Sequence, residues 1–131
     1  MKVAREVELV AGAAGIAERF AGALMAGEPG AAALLFSPEG TCLSRDGTEV
    51  RGRGQIAGLL AQVTDSEHRL AILLGRTVLA GEVALSTQSW TRRSRPQHQP
   101  RREGFEATST ARLVLGRDRG RWEILIASLW E

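Results

Sequence analysis

The side chains best equipped for chemistry are few, and most of them fall in the second half of the chain. Arg112 follows Thr108, Ser109, Thr110 and Ala111, and strand alternation puts Thr108, Thr110 and Arg112 on one face. A guanidinium at the depth of a pocket binds a carboxylate, enolate or phenolate through its fork of N–H donors. It also stabilises negative charge that develops during a reaction. The commoner role of such an arginine is a salt bridge within the sheet or a solvent-facing strand edge. Gln88, Trp90 and Arg92 share a face of another extended run. A tryptophan beside polar anchors suits an aromatic or polyene ligand, and it serves as readily in a core. For proton transfer the candidates are His68, with Asp65 and Glu67 close in sequence, and Glu106, on the face of Thr108 and Arg112. The expected catalytic set is therefore Arg112, His68 and Glu106.

Other chemistries are excluded by what the chain lacks. His68 and His98 lie far apart with no spaced acidic pair, which gives no metal signature, so neither metal nor cofactor is expected. The single cysteine, Cys42, cannot form an intrachain disulfide, and no neighbouring base activates it; it reads as a small buried thiol. Net charge is only +2, although Arg92, Arg93, Arg95, Arg101 and Arg102 fall within eleven positions. That arginine-rich stretch lacks interleaved aromatics and reads as a solvated hairpin connection, with nucleic acid not expected as a partner. No apolar run approaches the roughly 20 residues of a membrane helix. Glu6 and Glu8 stand where a signal peptide would be apolar, and the expected location is cytoplasmic.

The elements that must position these groups can be read from periodicity. The 131 residues fit one domain, 1–131, and 44% hydrophobic against 24% charged residues is a globular balance. Apolar residues recur at three- and four-residue steps over 7–25, which predicts a helix, weakened early by Gly12 and Gly15. Gly27-Glu28-Pro29 stops it, and a short helix over 30–36 follows. Ser37-Pro38-Glu39-Gly40 reads as a loop and 41–44 as a short strand. Asp46-Gly47 is a hairpin turn into 48–50, and 52–63 is a third helix. Long β-type runs over 69–79, 83–93, 105–115 and 121–130, joined mostly by short links, predict an antiparallel meander. Helices first and strands afterwards is the α+β pattern.

The last strands carry apolar residues on both faces. Leu113, Leu115, Ile124 and Ile126 form one alternating set; Val114, Leu125, Ala127 and Leu129 form the other. A sheet with one face in water would alternate cleanly between apolar and polar. One face is thus expected under the chain's own helices and the other against a second copy, making a homodimer through the outer sheet face.

Particular stretches resemble the nuclear transport factor two-like superfamily, and within it the small bacterial SnoaL-like proteins. Phe36-Ser37-Pro38-Glu39-Gly40, then Asp46 to Arg53 and a helix, resembles the segment these proteins place after their second helix. Gly120-Arg121-Trp122-Glu123-Ile124 resembles their closing hairpin. The resemblance implies a cone-shaped, cystatin-like roll, three N-terminal helices on a curved antiparallel sheet, around a small-molecule pocket. In the ketosteroid isomerases of that superfamily a tyrosine, a catalytic aspartate and a protonated aspartate do the work. Alignment puts Phe20, Ser44 and Arg112 at those places, which removes that chemistry, and the chain has no tyrosine. The epoxide hydrolases of the fold need aspartates flanking an arginine, and the expected strands hold none, because Asp46, Asp65 and Asp118 read as turn or loop residues. What the resemblance leaves is a pocket lined by Phe20, Leu24, Ser44, Leu59, Gln88, Trp90, Thr108, Thr110, Arg112 and Leu129. It would take an apolar, polyketide-like molecule, with cofactor-free acid–base chemistry or binding alone.

Overall fold

The computed structural model describes residues 2–44, 46–64, 68–94 and 106–129. Three helices pack on one six-stranded sheet: α1 (Lys2–Met25), α2 (Pro29–Ala33), β1 (Phe36–Leu43), β2 (Glu49–Arg51), α3 (Arg53–Val63), β3 (His68–Ala80), β4 (Val83–Ser94), β5 (Glu106–Asp118) and β6 (Arg121–Ser128). The strand order is β2-β1-β6-β5-β4-β3, a curved and unclosed α+β arrangement. From β3 to β6 every neighbouring pair is antiparallel, whereas β1 joins β6 in parallel.

Three local expectations are corrected. α1 begins at Lys2 rather than near residue 7 and runs through Gly12. Gly12 has a packing reason to lack a side chain, because a Cβ there would lie 2.8 Å from Cδ1 of the Trp122 indole. The second helix ends at Ala33 rather than at 36, and Phe36 already pairs with Ile124. The expected loop Ser37–Gly40 lies within β1, where the register against β6 shifts between Phe36 and Thr41. A proline without an N–H is tolerated at such an irregularity, which is why Pro38 misleads a sequence reading.

The core sits between α1 and the inner sheet face. Ala111, Leu113 and Leu115 of β5 are fully buried, as are Ile124 and Ala127 of β6. Leu115 pairs with Ile124 but Val114 with Ile126, so an irregularity leaves Leu125 outside the alternation and resets the face. Ile126 therefore points outward and Ala127 inward, the reverse of uninterrupted alternation. The side chain of Leu125 lies across Gly116, where a Cβ would come within 2.7 Å.

On the outer face, Val78, Leu85, Val114 and Ile126 stand in register across four strands. Three of them are among the exposed large hydrophobics. No described helix is long and apolar enough to cross a membrane.

Candidate functional site at the mouth of the sheet

The deep hollow of the sheet is occupied by the chain's own side chains. Trp90 and Phe20 are fully buried with ring centroids 6.3 Å apart, and Phe20 meets Phe36 edge-on at 5.8 Å. Leu24 is buried in the same cluster. The indole Nε1 of Trp90 donates to Gln88 Oε1 at 3.0 Å, and Gln88 Nε2 donates to the Ala17 carbonyl of α1 at 3.0 Å. Buried polar groups need such partners, and here they find them internally. Phe20, Leu24, Gln88 and Trp90, expected to line a pocket, are therefore core residues that fasten β4 to α1.

Arg112 lies elsewhere too. It pairs with Thr87 on one side and Ser128 on the other, and it is exposed on the outer face with Thr108; Thr110 on that face is half-buried. The alternation of the three was read correctly, but the face was not. Ala111, Leu113 and Leu115 hold the inner side because their burial is favourable by roughly 25 cal/mol per Å², whereas a buried guanidinium must be paired.

A cavity opens instead at one end of the sheet, between α3, the β1–β2 hairpin and the ends of β4 and β6. It encloses about 630 Å³, within the range of small-molecule sites. Leu59 and Val63 of α3, Val50 and Leu129 give it apolar walls; Ser44, Asp46, Gln55, Gln62 and Arg92 bring polar groups to it. Three of the expected lining residues, Ser44, Leu59 and Leu129, are brought together here. Arg92, which shares the inward face of Gln88 and Trp90, supplies a guanidinium where Arg112 was expected to do so.

The hairpin side of the cleft is firmly organised. Ser44 N donates to Thr48 O at 2.9 Å, and Gly47 N to Ser44 O at 3.0 Å. Asp46 accepts from the Ser44 hydroxyl and from the Thr48 amide. Those bonds, the Ser44 hydroxyl first and then those from Thr48, lower the Asp46 carboxyl to about 2. A carboxylate that acidic remains ionised near neutrality and is a poor proton acceptor. Cys42, buried on β1 two residues before Ser44, is pushed up to about 12 by burial, so its thiol is neutral and unreactive.

His68 and Glu106 begin their strands at this end of the sheet, His68 opposite Ser94 and Glu106 opposite Arg93. His98, Arg95, Arg101 and Arg102 lie outside the described residues. Among the described residues no three His, Cys, Asp or Glu side chains gather as a metal site requires.

Solved structures place this architecture. An NTF2-like protein with a cystatin-like fold from Novosphingobium aromaticivorans superposes with a TM-score of 0.73 over 97% of this chain and 84% of its own, at 17% identity. The fold is nuclear transport factor two-like. A ketosteroid isomerase-like protein from Erwinia carotovora atroseptica gives a TM-score of 0.73 at 13% identity, covering 91% of this chain and 92% of that one. A hypothetical protein with a ketosteroid isomerase-like fold from Catenulispora acidiphila, in complex with trimethylamine, gives 0.66 at 21% identity, covering 86% and 82%. No protein-family model matches the sequence, and no curated protein matches it. Within the nuclear transport factor two-like fold the open end of the cone is thus where this chain differs from a filled core, and Arg92 stands at that opening.

Proposed function

We propose that the protein binds a small apolar molecule carrying one acidic group, of the aromatic or polyene polyketide kind, in the mouth cleft. The observation that carries this reading is the convergence of Arg92 with apolar walls from α3 and β6 around about 630 Å³ of space. A ligand of that class would lay its ring system against Leu59, Val63 and Leu129 and turn its acid toward Arg92. Ser44, Gln55 and Gln62 supply hydrogen-bonding groups that set its orientation.

Binding is favoured over turnover because Asp46, the one carboxylate among the described lining residues, is too acidic to act as a base. A second reading, cofactor-free acid–base chemistry such as cyclisation, dehydration or epoxide opening, draws on the placement of His68 and Glu106 at the Arg92 end of the sheet. The outer-face row of Val78, Leu85, Val114 and Ile126 supports a homodimer. Light scattering at micromolar concentration, with a dimer mass expected and a monomer mass against it, reads that directly.

Titration calorimetry with 2-naphthoate and 2-naphthylmethanol tests the cleft. The acid is expected to bind more tightly than the alcohol, and Arg92→Met to weaken the acid about tenfold, the loss of one charge-assisted pair. Equal affinity of acid and alcohol, or an unaltered acid affinity in Arg92→Met, would refute the assignment.

A further inference from the structure

A second cleft opens at the opposite end of the sheet, beside the β5–β6 turn. About 500 Å³ in volume, it is bounded by α1, the α2–β1 turn, the start of α3 and the turn itself. Arg19 reaches it from α1, Arg53 from the start of α3, and Arg119 and Arg121 from the β5–β6 hairpin, against Asp118 and Glu123. Four guanidiniums over two carboxylates leave the cleft a formal +2, equal to the net charge of the whole chain. The cleft is thus a positively charged concavity, separate in sequence from the arginine-rich stretch 92–102.

Arg53 is held in place rather than waving in solvent. Its Nε donates to the Phe36 carbonyl at 2.9 Å, and its Nη2 lies 3.7 Å from Glu123 Oε2. The cleft also offers apolar contact: Leu34 is 66% exposed at its edge, and the Trp122 indole is half-buried in its wall.

The turn carries an independent sign. Asp118 pairs with Arg121, so Arg119 and Gly120 are the two central residues of a tight hairpin, with φ of 51° and 79°. Positive φ at both centres is the arrangement that favours Asn-Gly or Asp-Gly. Gly120 meets it without strain. Arg119 does not, and it is the sole non-glycine residue with positive φ among those described. Asparagine would fit that backbone with less strain. Arg119 therefore brings a guanidinium to the rim of a cleft already rich in them, at a position its backbone does not favour.

We propose that this cleft is a second binding site, for a small organic phosphate: a phosphoryl dianion joined to an apolar group. A dianion matches the formal charge, guanidinium forks match phosphate oxygens, and Leu34 with Trp122 receives the apolar part. The site is independent of the mouth cleft, shares no lining residue with it, and stands or falls alone.

Calorimetry at low ionic strength with 1-naphthyl phosphate and inorganic phosphate tests it, alongside thermal melting. Naphthyl phosphate is expected to bind saturably and about tenfold more tightly than inorganic phosphate, as burying part of one ring would give. Arg119→Asn is expected to weaken naphthyl phosphate about tenfold while raising Tm by roughly 2–4 °C, since relief of the turn acts on the fold alone. Arg121→Gln should weaken binding with Tm unchanged, and Arg76→Gln, an exposed charge on β3, should leave binding as it is. The proposal is overturned by the absence of saturable binding at millimolar concentration, or by equal losses in Arg76→Gln and Arg121→Gln. It is overturned as well if poly-glutamate binds and naphthyl phosphate does not compete, because the cleft is then a docking surface for an acidic chain.

Discussion

Gln88 and Trp90 show how a polar pair that looks like a ligand site becomes a fastener. The Gln88 amide accepts from the indole and donates to α1, so all three groups are satisfied out of water. Replacing Gln88 with Leu keeps the volume but leaves the buried indole N–H without its acceptor. Such a group costs about 1–3 kcal/mol. Urea unfolding of Gln88→Leu is expected to show that loss; a stability equal to the parent would mean the pair contributes nothing. The sequence made the shared face of Gln88, Trp90 and Arg92 legible, because alternation depends only on the strand period. It did not show how deep each lies. Arg92 sits at the strand's outer end, and the difference between core and mouth is a matter of two residues along β4. For Arg112 the clue was present but outweighed: Ala111, Leu113 and Leu115 are a cleaner apolar set than Thr108, Thr110 and Arg112, and the cleaner set is the buried one.

At the scale of elements, the order of helices and strands was legible from end to end, since amphipathic spacing and turn residues are local. Two features were not. The parallel pairing of β1 with β6 joins segments more than eighty residues apart, and nothing local to either strand encodes it. The irregularity opposite Leu125 reverses the faces of the last strand, and it follows from the fit of Leu125 over Gly116 rather than from composition. Its effect is to put Ile126 beside Val114, Leu85 and Val78 on the outer face. A row of apolar side chains across four strands is the kind of surface a two-fold interface buries. Ile126→Asp would place two charges near one another across that interface. Sedimentation is expected to give a dimer for the parent chain and a monomer for Ile126→Asp, with the helical circular dichroism retained. A parent chain that sediments as a monomer would remove the dimer from the account.

The whole molecule is a cone filled at its centre and open at its ends. The cone itself was implied by the resemblance of a few turn and hairpin segments, and the solved structures share it at identities too low to carry function. Where its space lies could be settled only by coordinates, because it depends on how far Phe20, Phe36 and Trp90 fill the hollow. That filling leaves the open space at Arg92, Leu59 and Leu129, where the proposed ligand would sit. Amide and indole resonances followed during a titration with 2-naphthoate test this most directly. The account requires shifts at Leu59, Val63, Arg92 and Leu129 while the Trp90 indole N–H, locked on Gln88, stays still. A moving Trp90 indole with a silent rim would place the ligand in the hollow and contradict it.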